Sequence, residues 1–228
     1  MRYRAVLLVS GLLLLAACGT TTQSSDPSAS QSPDMDLLLT AEDFPPGYEV
    51  VQAKSDVGRA QQQAVDGRAY QPPECAALFA NQARYTKESR RSGINAVDPD
   101  QPSFPRYSNT IIRQAEPIPH RREVVNRCGD NTATIPGQGT MAMATQQIAA
   151  PGDVKADDTL VFTFSTTFQP DPGSNALRSQ RRTVIGYADL PGLQIEFYEQ
   201  VDGFGSEADM TSFNRLISSA VRQASTVQ

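Results

Sequence analysis

Apolar and polar side chains alternate most regularly in the second half of the chain. Between residues 159 and 168 one set of apolar residues alternates with a mostly polar set, namely Leu160, Phe162, Phe164 and Phe168 against Val161, Thr163, Ser165 and Thr167. A period of two predicts a strand with one apolar and one polar face. Further strands are predicted over residues 48–52, 109–115, 140–149, 183–188 and 193–201.

The last two of these strands are predicted to form a hairpin around Pro191-Gly192. Its register is a working assumption, since a type II turn suits a two-residue hairpin less well than the primed turns do. This register pairs Ala188 with Ile195, Gly186 with Phe197 and Val184 with Glu199. A glycine opposite a phenylalanine leaves room for the ring, so we expect this face to be core. The opposite face then carries Arg181, Thr183, Ile185, Tyr187, Glu196 and Tyr198.

A C-terminal helix is predicted after a capping box formed by Ser206 and Asp209. Its apolar residues recur at helical spacing, namely Met210, Phe213, Ile217, Ala220 and Val221. Two more helices are predicted, one beginning after Pro72-Pro73 and one over residues 121–128. We therefore expect an α+β fold, in which helices that include the C-terminal one pack on one face of an antiparallel sheet.

The N-terminal segment has the pattern of an export signal. Arg2 and Arg4 precede an apolar stretch over residues 5–17, which is too short for a comfortable membrane span. Its end, Leu-Ala-Ala-Cys at residues 15–18, resembles the bacterial lipobox, in which the cysteine is lipidated and the chain is cut before it. The resemblance implies a signal peptide over residues 1–17 and a mature protein anchored through Cys18 on the outer face of the cell membrane. The alternative is an ordinary signal peptide with a chance cysteine.

The residues that follow Cys18 are predicted to be a tether. Residues 19–36 are mainly Thr, Ser, Gln, Pro and Asp, with almost no apolar side chains, a composition typical of disorder. We therefore expect a lipidated, disordered segment over residues 18–36 and a single domain over residues 37–228.

Charge and cysteine content narrow the function classes. The formal net charge is -5, and cleavage before Cys18 would make the chain more acidic, which argues against nucleic-acid binding. With Cys18 lipidated, Cys75 and Cys128 remain, and in an exported protein they are expected to form a disulfide. A redox or metal-binding pair is the alternative. The disulfide would link the start of one predicted helix to the end of another.

No strong catalytic motif is found. The sequence lacks Gly-x-Ser-x-Gly, Ser-x-x-Lys and the Walker and Rossmann glycine patterns, and His120 is the single histidine. We expect no catalytic residue, no cofactor and no metal. Asp153, Asp157 and Asp158 could bind calcium, although a solvated acidic loop explains them better. The run at residues 120–122 could mark an anion site or a solvated charge cluster.

Several segments together resemble a family. They are the Leu-Ala-Ala-Cys motif, residues 37–48, residues 72–78 and the later Cys128 in residues 124–129. The set resembles mycobacterial envelope lipoproteins with an uncharacterised, DUF5642-like domain, and more loosely the extracellular sensor domain of PknH-type receptor kinases. The resemblance implies an α+β fold with an antiparallel sheet and a role in ligand sensing or envelope interaction. The chain departs from that sensor domain, which has two disulfides, because it can form one.

The function expected from the sequence is that of a lipid-anchored, non-enzymatic envelope protein that binds a ligand or partner. Partners would be the membrane, through the anchor, and an envelope lipid or a membrane protein. The candidate binding residues are Arg181, Ile185, Tyr187, Glu196 and Tyr198, because rings supply area and hydroxyls supply direction. The alternative for this face is that a helix covers it. An envelope hydrolase and an accessory subunit of a membrane complex are the competing functions.

Overall fold

A computed structural model describes residues 34–53, 68–100, 105–175, 177–203 and 207–226. Three α-helices are described: α1 (Cys75–Glu88), α2 (Ile118–Cys128) and α3 (Met210–Thr226). Two 3₁₀ turns, Met35–Leu37 and Ala41–Asp43, precede the strands. The strands are β1 (Glu49–Gln52), β2 (Ala69–Gln71), β3 (Arg90–Val97), β4 (Pro105–Arg113), β5 (Asn131–Ile135), β6 (Gly139–Ile148), β7 (Asp158–Pro170), β8 (Ser179–Leu190) and β9 (Leu193–Asp202).

All nine strands form one antiparallel sheet, in the order β1-β3-β4-β9-β8-β7-β6-β5-β2. Strands account for 43% of the described residues and helices for 28%, so the protein is mostly β and the expected α+β class is wrong. Strands β2, β3 and β5 were not predicted from the sequence. These strands are short or rich in Ser, Gly, Asn and Thr, and they become strands because a neighbouring strand supplies their hydrogen bonds.

The β8–β9 hairpin has the predicted register. Ala188 pairs with Ile195, Gly186 with Phe197 and Val184 with Glu199. Leu190 and Leu193 close the hairpin, and Gly192 has a φ of 75°, which is the conformation that the third position of a type II turn requires.

Helix α3 covers one face of the sheet, which we call the α3 face. Phe213 and Ile217 of α3 are fully buried there with Phe197 of β9. A Cβ on Gly186 would lie 2.2 Å from Ile217 Cδ1 and 3.2 Å from the Phe213 ring. The glycine therefore makes room for the helix packed above it, rather than for the neighbouring Phe197 as the sequence suggested.

Helices α1 and α2 pack on the opposite face, which we call the cavity face. The expectation that helices cover only one face is therefore wrong. Alternation along the strands explains how both faces are apolar: Val161 contributes to the α3 face, while Leu160 and Phe162 contribute to the cavity face. A strand that is buried on both sides can seat helices on both sides.

A disulfide joins the two helices of the cavity face. Cys75 at the start of α1 and Cys128 at the end of α2 are bonded, as predicted, with their Cα atoms 5.7 Å apart. Both cysteines are buried, beside Tyr70 and Ala133. The bond fixes two helices that are 53 residues apart in sequence at their point of contact.

The predicted boundaries near the N-terminus are only partly within the described residues. Residues 1–17, Cys18 and the tether up to residue 33 lie outside them, as does Ser206 of the predicted capping box. Asp34 is buried and pairs with Arg113 at 2.8 Å, so packing contacts extend into the last residues of the predicted tether. In the part of the chain that the structure describes, no helix has the length and apolar character needed to cross a membrane.

Candidate functional site

A cavity of about 440 Å³ lies between the cavity face of the sheet and helices α1 and α2. Its volume is within the range of ligand pockets in proteins. Along β8 it extends from the buried Tyr187 to the exposed Arg181, a span of about 20 Å at the rise of a strand. Tyr187 therefore marks its inner end and Arg181 its mouth.

Most of the cavity wall is apolar. The helices contribute Phe79 and Ala83 from α1, and Val124, Val125 and Cys128 from α2. The sheet contributes Tyr70, Met141, Met143, Phe162, Phe164 and Ile185. Polar side chains are interspersed, namely Arg68, Gln82, Thr86, Thr145 and Thr166. Such a lining suits a ligand with an apolar body and few polar atoms.

Buried charges lie at the inner end. Arg121 of α2 is 4% exposed, and its Nη1 lies 3.0 Å from Glu116 Oε2. The guanidinium stacks on the Tyr187 ring, with Cζ 4.0 Å from the ring centroid. Glu116 also pairs with His120 Nδ1, and the Asn81 side chain of α1 hydrogen-bonds to His120 Nε2 at 3.0 Å. These contacts hold α2 against both the sheet and α1.

A second ion pair lies beside the first. Arg91 of β3 pairs with Glu196 of β9, across β4. Burial alone would raise the pKa of Glu196, but the charges of Arg91 and Arg121 and the Tyr187 hydroxyl together hold that pKa below its usual value. Burial raises the pKa of Tyr187, so its hydroxyl stays protonated and donates to Glu196. Glu196 is therefore a fixed anion at neutral pH.

The structure brings four of the five candidate binding residues together. Arg181, Ile185, Tyr187 and Glu196 line the cavity, whereas Tyr198 is not part of its wall. Tyr198 is half-buried and shares a hydrogen bond with Ser108 of β4. Tyr187 is 7% exposed because Arg121 of α2 covers it, so a helix does cover this part of the face.

Arg121 and Glu116 were not predicted from the sequence to be part of this site. Residues 120–122 were predicted to be an anion site or a solvated cluster, but Arg121 is buried and Arg122 pairs with Asp158 at 2.8 Å. Helical spacing was the available signal. Arg121 lies three residues from Ile118 and from Val124, and all three are on the buried face of α2.

The acidic loop that was considered for calcium makes other contacts. Asp153 accepts a hydrogen bond from the Ser218 hydroxyl at 2.8 Å, and Asp158 is the partner of Arg122. Among the described residues, no group of three or more His, Cys, Asp or Glu side chains is placed to hold a metal ion.

No protein-family model and no curated protein matches the chain. A solved structure with some similarity is the X-ray structure of an uncharacterized protein from Mycobacterium smegmatis. It has 10% sequence identity and a TM-score of 0.45, and the alignment covers 80% of this chain and 92% of that one. A similarity of this size carries no argument about activity, ligand or membrane attachment.

Proposed function

We propose that this protein is a lipid-anchored binding protein of the cell envelope, and that its domain takes up a small, mainly apolar ligand. The observation that supports the proposal is the cavity between α1, α2 and the sheet, with its apolar walls and its charged inner end. The disulfide between the two helices holds the roof of this cavity in place.

The charged groups of the cavity favour binding over hydrolysis. A general acid needs a pKa raised toward the working pH, and a nucleophile needs a nearby base. Glu196 instead has a lowered pKa and is paired with Arg91. Glu116 is held by Arg121 and His120, and the Cys128 sulfur is part of the disulfide. These groups serve as fixed supports rather than as reactive ones.

An accessory subunit would be favoured by a broad apolar surface patch. The exposed large apolar side chains of the described residues are Val51, on the edge strand β1, and Leu177, in the β7–β8 connection. They give no specific support to that alternative.

The membrane location is also part of the proposal. It is supported by the apolar N-terminal stretch that ends in Leu-Ala-Ala-Cys at residues 15–18. A disulfide is typical of exported compartments, and two acyl chains on Cys18 would suffice for stable attachment. We also propose that the chain is related to mycobacterial DUF5642-like lipoproteins and, more distantly, to the extracellular sensor domains of PknH-type kinases.

The cavity can be tested with the neutral fluorescent probe N-phenyl-1-naphthylamine. Thr166 lines the cavity near its mouth, whereas the next residue on β7, Thr167, points to the other side of the sheet. Thr166→Trp should fill part of the cavity and weaken binding of the probe about tenfold or more. The reason is that the probe would lose the burial of about one aromatic ring, which contributes over ~1 kcal/mol to binding. Thr167→Trp is the matched control and should bind like the wild type.

The proposal fails if the probe does not bind at a one-to-one ratio, or if the two tryptophan variants bind it equally well. Urea unfolding of both variants establishes that each is folded before the comparison is made.

A further inference from the structure

The wall of the cavity carries more positive than negative charge. Of the described residues that line it, three are arginines, Arg68, Arg121 and Arg181, and one, Glu196, is a carboxylate. The chain as a whole is acidic, with 25 acidic residues against 20 basic ones. The positive charge is therefore a local property of the cavity.

The charges at the inner end balance one another. Arg121 pairs with Glu116 at 3.0 Å, and Glu196 pairs with Arg91, so the two ion pairs together are neutral. The side chains of Arg121 and Glu116 are only 5% and 0% exposed, so a ligand has little access to them. The excess positive charge of the wall therefore comes from Arg68 and Arg181.

These two arginines lie where water reaches the cavity. Arg181 is exposed at the mouth, and Arg68 is half-buried just before the edge strand β2. Asp202 is the cross-strand neighbour of Arg181, and counting its charge still leaves one positive charge in excess. An anionic group bound at the mouth would keep part of its hydration, so the cost of burying a charge would be small there.

Both arginines also contact the protein, but an arginine can serve several partners at once. Arg68 shares a hydrogen bond with the Tyr70 hydroxyl, and Arg181 has an interaction of its own within the protein. A guanidinium carries five N–H donors in a planar fork, and this fork matches the oxygens of a carboxylate or phosphate. A hydrogen bond within the protein does not use up the fork.

Resting on the proposed function, we infer that the ligand is an anionic amphiphile, whose carboxylate or phosphate group binds at the mouth in the field of Arg68 and Arg181. Its apolar chain extends inward along Phe162, Phe164 and Ile185, which line the cavity. The difference between the two ends sets this orientation, because the inner end is closed and balanced while the mouth is positive and hydrated.

Four probes with matched apolar chains test the charge preference: decanoate, decyl phosphate, decan-1-ol and decyltrimethylammonium. Calorimetry and displacement of N-phenyl-1-naphthylamine measure their affinities at neutral pH, below the concentrations at which they form micelles. In an apolar cavity that does not recognise charge, the alcohol would bind tightest, because water solvates an ionised headgroup better.

We expect the tighter-binding of the two anions to bind about tenfold tighter than decan-1-ol, and the cation to bind weakest. The comparison of decanoate with decyl phosphate distinguishes a fatty acid from a phosphate-bearing lipid as the source of the headgroup.

The double variant Arg68→Gln, Arg181→Gln removes the excess charge from the wall. It should abolish the preference for anions and leave the affinity for decan-1-ol unchanged. The matched control is Arg90→Gln, Arg182→Gln, which removes the same charge from the α3 face, where Arg182 pairs with Glu207 at 3.6 Å. The control should keep the preference, and urea unfolding establishes that both variants are folded.

Should the double variant fail to fold, the salt dependence of the wild type decides the question. Raising the salt concentration should weaken binding of the anions relative to decan-1-ol, because the two arginines are accessible to screening ions.

Several results would overturn the inference: decan-1-ol or the cation binding as tightly as both anions, an unchanged preference in the cavity variant, an equal loss of preference in the control, or a preference that salt does not alter. Failure of the proposed function is a different result, in which none of the four probes displaces N-phenyl-1-naphthylamine.

Discussion

Two glutamates of β9 show how position along a strand controls ionisation. Glu196 faces the cavity and Glu199 faces α3, because their positions differ by an odd number of residues. Arg91 and Arg121 lower the pKa of Glu196 against the effect of burial. For Glu199, burial raises the pKa more than the Asp209 N–H and the Arg106 charge lower it. The same residue type therefore has opposite shifts on the two faces.

Glu196→Gln should lower the free energy of unfolding at neutral pH by about 2–3 kcal/mol, because it leaves Arg91 buried without its partner. The wild type should lose the Glu196 contribution on acidification. A folded-state pKa below the unfolded value stabilises the fold above about pH 4.3, and the effect disappears as the pH falls through the folded-state pKa. Urea unfolding at a series of acid pH values should show that the free energy of unfolding falls less steeply with decreasing pH in Glu196→Gln than in the wild type.

Glu199→Gln is the matched comparison and should behave in the opposite way. The pKa of Glu199 is raised in the folded protein, so the fold favours the protonated carboxyl. The contribution of Glu199 to the free energy of unfolding is therefore complete below about pH 4.3 and is lost as the pH rises through the folded-state pKa. The destabilisation by Gln should therefore be smaller at neutral than at acid pH. Parallel pH slopes in the two variants would contradict the assignment of the two environments.

At the scale of elements, the contact between α3 and the hairpin depends on one glycine. Gly186 is the point of closest approach, since an added Cβ would lie 2.2 Å from Ile217 Cδ1. Asp209 positions the start of the helix by accepting hydrogen bonds from the N–H groups of Thr211 and Ser212 at 3.0 and 3.3 Å. The first described residues also contact α3, because Arg215 donates to the Asp43 carbonyl at 2.9 Å.

Gly186→Ala should destabilise the protein by about 1–3 kcal/mol, because the new methyl group overlaps Ile217. The double variant Gly186→Ala with Ile217→Val should recover part of this loss, since Ile217→Val alone removes the overlapping atom at a cost of about 1 kcal/mol. A double-mutant cycle from urea unfolding measures the coupling. Additive effects of the two substitutions would show that the helix approaches the sheet elsewhere.

The disulfide should stabilise the fold by about 4 kcal/mol, given the 53-residue separation of Cys75 and Cys128. Reduction should lower the free energy of unfolding by this order and weaken binding of N-phenyl-1-naphthylamine, because α1 and α2 form the roof of the cavity. Unfolding and titration with and without reductant measure both effects. The Cys75→Ala, Cys128→Ala double variant should be insensitive to reductant, and a wild type equally insensitive would mean that the bond is absent.

At the scale of the whole molecule, the proposed anchor and the domain are joined by the segment that follows Cys18. The net negative charge of the chain would keep the domain away from anionic headgroups.

Cys18→Ala should move the protein from the detergent phase to the aqueous phase and remove the acyl mass, because the anchor is lost. Phase partitioning and intact mass of the protein produced in its own envelope measure both changes. Thr20→Ala, two residues further on, should leave partitioning unchanged. Unaltered partitioning of Cys18→Ala would remove the anchor from the proposal and leave the cavity proposal standing.

The sequence alone was sufficient where the information is local. The register of the β8–β9 hairpin and the spacing of apolar residues in α3 agree with the structure. The alternation of residues 159–168 correctly predicted a strand, but the predicted polar face is wrong, since Val161 is 1% exposed and packs in the core on that side. The pairing of Cys75 with Cys128 also agrees, although it came from the count of cysteines rather than from local pattern. Periodicity reports which side of an element is buried, and a two-residue turn sets the register of its own hairpin.

Only the tertiary structure decided what covers each buried face. Hydrophobic periodicity shows that a face is buried but does not identify the element that packs on it. The sequence therefore could not assign α3 to one face of the sheet and α1 and α2 to the other. It also could not show that β2, β3 and β5 would gain their hydrogen bonds from neighbours. The inner end of the cavity depends on the same kind of information: Arg91 meets Glu196 across 105 residues of sequence, and Arg121 meets Tyr187 through the packing of α2 on the sheet. Such contacts are set by how elements pack, and packing is a property of the whole chain.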